Sequence, residues 1–409
     1  MSSKNPISIM EERRFLEGIG PSLGGICAVF GVVVLGATFA MALRVEGGKL
    51  HFAASYLVNF SYLLSLSLGA LIFVMLQHIT RAGWSVAVRR PAEILAAMLP
   101  LLAIMFIPLL KMAPALYDWL QVPAKGLPAE HGSGGFKEMY LQFPFFIARF
   151  VAYFIVWSFL ALYLFRQSVR QDATGDPVHT LRMERVSAVG TLLFAITITL
   201  ASFDLLMSLD HEWYSTIFGV YYFSGAFVSA LAFLILIIGS LQLSGRLTHA
   251  ITVEHYHDLG KLLFAFIMFW AYIAFSQYML IWYGNIPEET VWYYHRQNGG
   301  WATVGVILIF GHFVIPFLGL MSRHAKRNKY VLFFWAKWIL LMHAVDLYWI
   351  VMPQFYRGEI PLRLLWIYLG CFVGLFGIFM AAMLFVARSL SLVPIRDPRL
   401  QESLSFESA

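Results

Sequence analysis

Long apolar runs alternate with short polar or basic connections along nearly the whole chain. A bilayer core of roughly 30 Å takes about 20 apolar residues in helical conformation. Ten stretches are that long: 19–43, 53–77, 91–111, 143–166, 187–207, 219–242, 259–283, 301–321, 331–350 and 361–387. The pattern predicts an all-α integral membrane protein with ten transmembrane helices. The first run follows a charged flank (Glu11, Glu12, Arg13, Arg14) and ends in an AMA triplet like that of a signal-peptide cleavage site. It is longer than the roughly 7 to 15 apolar residues of a signal peptide, so it reads as an uncleaved first helix.

Most connections are short, which makes consecutive helices antiparallel neighbours. The exception, Met112 to Gln142, is rich in Pro and Gly (LPAEHGSGG), and its aromatic piece ALYDWLQ is expected on the membrane surface or against a partner. An Asp-Leu pair recurs in SFDLLMS near the end of the fifth span and in AVDLYWI near the end of the ninth, at Asp204 and Asp346. Two tandem four-helix bundles, spans two to five (53–207) and six to nine (219–350), flanked by spans one and ten, would produce that echo.

Composition sharpens the picture. Only 13% of the 409 residues are charged, against roughly 25% in soluble domains, and the mean hydropathy is +0.72. An ordinary water-soluble protein and a disordered chain are both excluded. The net charge of +6 does not point to nucleic acid, because the Lys and Arg residues sit between apolar runs rather than on one solvated face. With the N-terminus in the cytoplasm, 19 of the 29 Lys and Arg residues fall in inner segments and 8 in outer ones. The remaining two, Arg149 and Lys337, lie within spans. The bias predicts that residues 1–18 and the tail 388–409 are cytoplasmic and that the loop around His131 is external. Cys27 and Cys371 each lie inside an apolar run, so a disulfide framework, a thiolate zinc site and an iron–sulfur cluster all lack ligands. Any redox centre is expected in a partner.

An ionisable group inside a span costs about 2.5 to 3.5 kcal/mol to insert, so each is a functional candidate. They are Arg149 in span four, Asp204 in span five, His312 in span eight, and Lys337, His343 and Asp346 in span nine, with Glu93 and His78 at inner ends. Arg149 and Asp204 lie at similar depth on adjacent helices. They are expected to pair, either as a packing clamp or as the wall of a polar pocket opening outward. His343 and Asp346 share a face, Lys337 lies half a turn around from Asp346, and His312 lies about 6 Å deeper than His343. These four are expected to form a proton ladder through the second bundle, since an imidazole beside a carboxylate titrates near neutral pH. The plainer reading is a polar cluster that glues helices. A bis-histidine haem would need His312 and His343 level with the iron, which the offset does not provide. The segment GRLTHAITVEHYHDLGK holds Glu254, His255 and His257. Without a third imidazole or a cysteine it reads as the solvated start of a helix, and no metal is expected. No Ser-His-Asp or Cys-His arrangement can be assigned, which leaves a stand-alone hydrolase without support.

The stretches SFDLLMSLDHEWYSTIFGVYYFSG, HDLGKLLFAFIMFWAYIAFSQYMLIWYGNIPEET and HAVDLYWIVMP resemble the NrfD-like membrane subunits. More closely, they resemble the ActF-type membrane subunits of alternative complex III, the bacterial quinol:electron-acceptor oxidoreductase. The likeness covers residues 20 to 390, and SQYMLIWYGNIPEET is its most specific part. It implies ten helices in two four-helix bundles in the bacterial inner membrane, beside a sister ten-helix subunit. It also implies periplasmic iron–sulfur and haem c subunits that take electrons from menaquinol, and a terminal oxidase as a further partner. Haem c and iron–sulfur clusters are then expected only in those partners. In the family the sister subunit carries the better supported quinol site, with a histidine and an aspartate near the outer face. Asp204 matches the aspartate, and no histidine occurs between Arg149 and Arg166 in span four. The resemblance implies proton conduction and a quinone pocket at Arg149 and Asp204. Two rivals follow from the residues alone. One is a proton-coupled secondary transporter, which would show matched Gly or Pro breaks in two halves; Pro100 and Pro108 in span three and Pro316 in span eight give no matched pattern. The other is a purely structural membrane anchor.

Overall fold

Backbone N–H and C=O groups find no partner in lipid, so a spanning segment must close its own hydrogen bonds, and an apolar run of sufficient length does so as a helix. The structure, a computed structural model, describes residues 12–16, 20–120 and 139–408. The LPAEHGSGG stretch and most of the N-terminal segment lie outside them. Among the described residues ten helices are long and apolar enough to cross a membrane: α1 (Ser22–Ala42), α2 (Gly48–Ile79), α3 (Gly83–Leu116), α4 (Phe143–Thr174), α5 (Val178–Leu209), α6 (Phe218–Leu243), α7 (Val253–Gly284), α8 (Gly300–Met321), α9 (Lys329–Gln354) and α10 (Leu362–Ala387). No strand occurs among the described residues. The chain is an all-α, multi-pass membrane protein. Several helices outrun their apolar stretch. Thus α4 continues through the polar sequence RQSVRQDAT until Gly175, at φ 71°, ends it in the left-handed region.

The centre of the molecule is α2, whose most apolar window is entirely buried. It packs against α3, α5, α6, α9 and α10. Its approach to α6 needs a residue without a side chain, because a Cβ on Gly69 would lie 2.1 Å from the Ala226 carbonyl oxygen. At the periphery α1 packs along α10 with backbones also in close approach, Gly31 facing the Gly374 carbonyl. Lipid tails supply no hydrophobic drive between helices, and small residues that let backbones approach take its place. Elsewhere α3 touches α4, α4 touches α5, α6 packs on α7 and α9, and α8 lies between α7 and α9.

Two spans break at proline. In α3 the helix stops at Ala96 and restarts at Leu99 with Pro100 in its first turn. Pro108, expected as a second interruption, instead sits inside the continuous Leu99–Leu116 helix. In α8 a π turn, Ile309–Val314, precedes Pro316. Pro316 has no N–H to offer the His312 carbonyl four residues back, and the wider turn absorbs the mismatch.

The two ends of the molecule differ. At the tail end, residues beyond Arg388 fold back over the helices. The Leu392 N–H donates to the Arg14 carbonyl at 2.8 Å, Arg89 donates to Asp397 at 2.6 Å, and the Ser403 hydroxyl donates to the Trp84 carbonyl at 2.7 Å. Beneath lies a buried ion network in which Arg89 meets Glu93 at 2.9 Å, and Arg90 meets Asp172 at 2.7 Å and Glu93 at 3.1 Å. The Lys326 ammonium donates to the Leu320 and Met321 carbonyls that end α8. Burial, with Lys261 nearby, holds it below the usual lysine range. At the opposite end Tyr117 donates to the Leu205 carbonyl at 3.0 Å and Trp119 is buried. The ALYDWLQ piece, as far as Leu120, therefore packs in part on its own chain through Tyr117 and Trp119, with Ala115 and Asp118 exposed.

Candidate functional site

Asp346 and His343 are three residues apart on α9, so their side chains leave the helix roughly 60° apart. Both are buried, and that angle turns them to different neighbours. The His343 Nε2 lies 2.9 Å from Ser65 Oγ of α2, with the Tyr62 ring 5.5 Å away. Asp346 faces α6 and α7 instead. Its Oδ1 accepts from the Tyr221 hydroxyl at 2.5 Å and its Oδ2 from Trp270 Nε1 at 3.3 Å. Both donors are neutral, and among the described residues no cation pairs with Asp346. The expected imidazole–carboxylate contact is absent from the hydrogen bonds of the described residues: one helix face, once packed, is shared between two seams.

His312 is reached through Trp270. The two rings lie 3.9 Å apart, which places Trp270 between the imidazole and Asp346. Both His312 nitrogens are buried without a partner among the described residues. Lys337 does not join the group. It is exposed, and nine residues before Asp346 it emerges on the far side of α9. The expected inward extension through Lys337 is thus corrected by azimuth.

Arg149 and Asp204 meet as a bidentate pair, Nε to Oδ2 at 2.9 Å and Nη2 to Oδ1 at 2.8 Å. The Tyr153 hydroxyl adds a third bond to Oδ2 at 2.9 Å, and Nη1 donates to the Tyr140 carbonyl at 2.8 Å. The guanidinium lies 3.8 Å from the Tyr140 ring and 4.6 Å from that of Phe145. Every guanidinium nitrogen is engaged, and the planar fork is matched to the carboxylate in the strongest geometry such a pair has. Among the described residues, the walls of the expected outward pocket bond to each other and to Tyr153 and Tyr140. Next to it, between α3 and α4, runs an apolar groove of about 380 Å³ whose walls include Pro100, Phe106, Ile107, Phe150 and Phe154.

The histidine-rich start of α7 is not solvated. His255 and His257 are buried. His255 Nδ1 accepts from the Thr252 N–H at 3.1 Å while its Nε2 lies 3.0 Å from Ser403 Oγ, and His257 Nδ1 lies 3.0 Å from Ser408 Oγ. The C-terminal tail supplies both serines and covers the segment. Glu254 forms a bidentate ion pair with Arg327. Among the described residues no group of three or more His, Cys, Asp or Glu is placed to hold a metal. Glu93 belongs to the network at the tail end, and His78 is buried with its Nε2 unpartnered among the described residues.

A screen for ionisable residues in spans passes over two features. Asp172 and Asp397 complete the charged network from segments that read as polar ends. Along α2, neutral Ser55, Asn59 and Ser65 recur at helical spacing inside an otherwise apolar run, which is the one signal that pointed to them. No protein-family model matches the chain, and no curated protein matches it.

Proposed function

We propose that this chain is the proton-conducting membrane subunit of a quinol-oxidising respiratory complex of the alternative complex III type, in a bacterial inner membrane with both termini cytoplasmic. The observation that carries the reading is the pair of equivalent carboxyls in unequal surroundings. Asp204 is locked to a guanidinium. Asp346 is buried among neutral donors, so it can take up or release a proton without breaking an ion pair. His343 lies one turn away, and His312 is stacked on the tryptophan that donates to Asp346. The neighbour relations support two tandem four-helix bundles, α2–α5 and α6–α9, with α1 and α10 alongside.

Quinol is assigned to the sister subunit. The α3–α4 groove suits an isoprenoid chain, but Arg149 and Asp204 are spent on each other and on Tyr153 and Tyr140. Haem c and iron–sulfur subunits supply the redox centres. A secondary transporter is disfavoured by the positions of the helix breaks, which fall at Ala97–Met98 in α3 and at Ile309–Val314 in α8. These are the second helix of one group of four and the third of the other, without the correspondence that inverted repeats produce.

The test is the assembled complex carrying Asp346→Asn or His343→Phe, reconstituted in vesicles, with electron flux and internal pH followed together. Electron flux is expected to persist while the proton-to-electron ratio falls. An unchanged ratio in both variants would reduce these residues to helix glue.

A further inference from the structure

One face of α2 carries His51, Ser55, Asn59, Tyr62 and Ser65, at intervals of four, four, three and three residues that keep them in a single stripe. The stripe is turned to α9 and α10. At its outer limit His51 Nδ1 lies 3.0 Å from the hydroxyl of Tyr356, in the connection between those two helices. In the middle the Asn59 amide donates to the Ser55 carbonyl at 2.8 Å and to the Tyr368 carbonyl of α10 at 3.2 Å. At its deep limit Ser65 meets His343. From His51 to Ser65 the helix rises about 21 Å.

His51, Ser55, Asn59 and His343 are buried almost completely, and Tyr348 nearly so. Yet Ser55 Oγ, Asn59 Oδ1 and the Tyr348 hydroxyl, with His343 Nδ1 on the side facing Gly225 of α6, have no hydrogen-bond partner among the described residues. Four such atoms in and beside one seam are far from the norm, because buried polar groups in proteins are almost all paired and internal water supplies the partner where protein does not. Away from this seam, Ala70 and Phe73 of α2 pack with Leu95 of α3 and with Leu231 and Leu234 of α6 in apolar surroundings.

We infer that the α2–α9–α10 seam holds a file of internal water leading from the Ser65–His343 contact to the end of the molecule at which His51 lies. The unpaired atoms are its ligands, and Asn59, at the midpoint, bridges its two halves. As a proton route the file rests on the proton-conducting function proposed above; as a hydration site it stands without it.

Pulsed X-ray hydroxyl-radical footprinting of the full chain in its membrane tests this, because radicals form at bound water. Tyr222 serves as the reference: it is buried like Tyr348, but its hydroxyl is satisfied by the Ser61 carbonyl at 2.9 Å. Tyr348 and His343 are expected to be oxidised several-fold faster than Tyr222 and Phe73, with Asn59→Leu or Ser55→Ala bringing Tyr348 down toward the reference. Oxidation of wild-type Tyr348 and His343 no faster than the references would overturn the water file, and that result needs no variant. If wild type labels fast and Asn59→Leu moves protons as wild type does, the file stands and its role as a proton route falls.

Discussion

Asp204 and Asp346 occupy the same Asp-Leu pair four helices apart, and their chemistry is set by what stands opposite. Opposite Asp204 is a guanidinium held by rings and a carbonyl; opposite Asp346 are a phenol and an indole. Removing one partner of a buried ion pair strands the other charge, so Arg149→Ala and Asp204→Ala should each cost about 3 to 5 kcal/mol. The double variant should cost clearly less than the sum, since the second deletion removes the stranded charge. Unfolding of the purified protein in detergent measures this cycle, and additive losses would mean the pair is not coupled. Sequence depth alone put Arg149 and Asp204 at one level. It left open how Tyr140, Phe145 and Tyr153 surround the pair.

At the scale of helices, packing depends on where side chains are missing. A side chain on Gly69 would strike the backbone of α6, which cannot swing aside as a flexible side chain can. Gly69→Val should therefore destabilise at the upper end of the roughly 1 to 3 kcal/mol typical of overpacking. At Gly25, inside α1, an added Cβ would meet nothing within 4 Å, so alanine there should leave thermal unfolding unchanged or slightly raised. If the two variants melt alike, the α2–α6 crossing is looser than the geometry implies. The spans themselves were legible because apolar length is a local property. The π turn at His312 was not: Pro316 announces a break, but whether it becomes a kink, a stop or a wider turn depends on what α7 and α9 pack against it.

For the whole molecule, the C-terminal tail is the least expected participant. It reads as a polar end, and it closes the tail end of the helices through Asp397, Ser403 and Ser408. Deleting residues 389–409 should expose His255 and His257 and free the Ala87 N–H, now 3.1 Å from Ser403 Oγ. Hydrogen–deuterium exchange should rise across Gly83–Ala87 and at the start of α7, with the α9 centre unchanged; unaltered exchange at Ala87 would mean the tail is not docked in solution. By itself the sequence determined the class, the number of spans and which residues are too costly to bury without a reason, because hydropathy and helix length are summed over neighbours in the chain. Tertiary structure alone decided which carboxyl is clamped, which way His343 turns and what covers the α7 histidines. Those outcomes depend on pairs such as Arg149 with Asp204, Tyr221 with Asp346 and Ser65 with His343, separated by 55, 125 and 278 positions. No local pattern encodes contacts at that distance, and only the packing of the helices against one another brings them together.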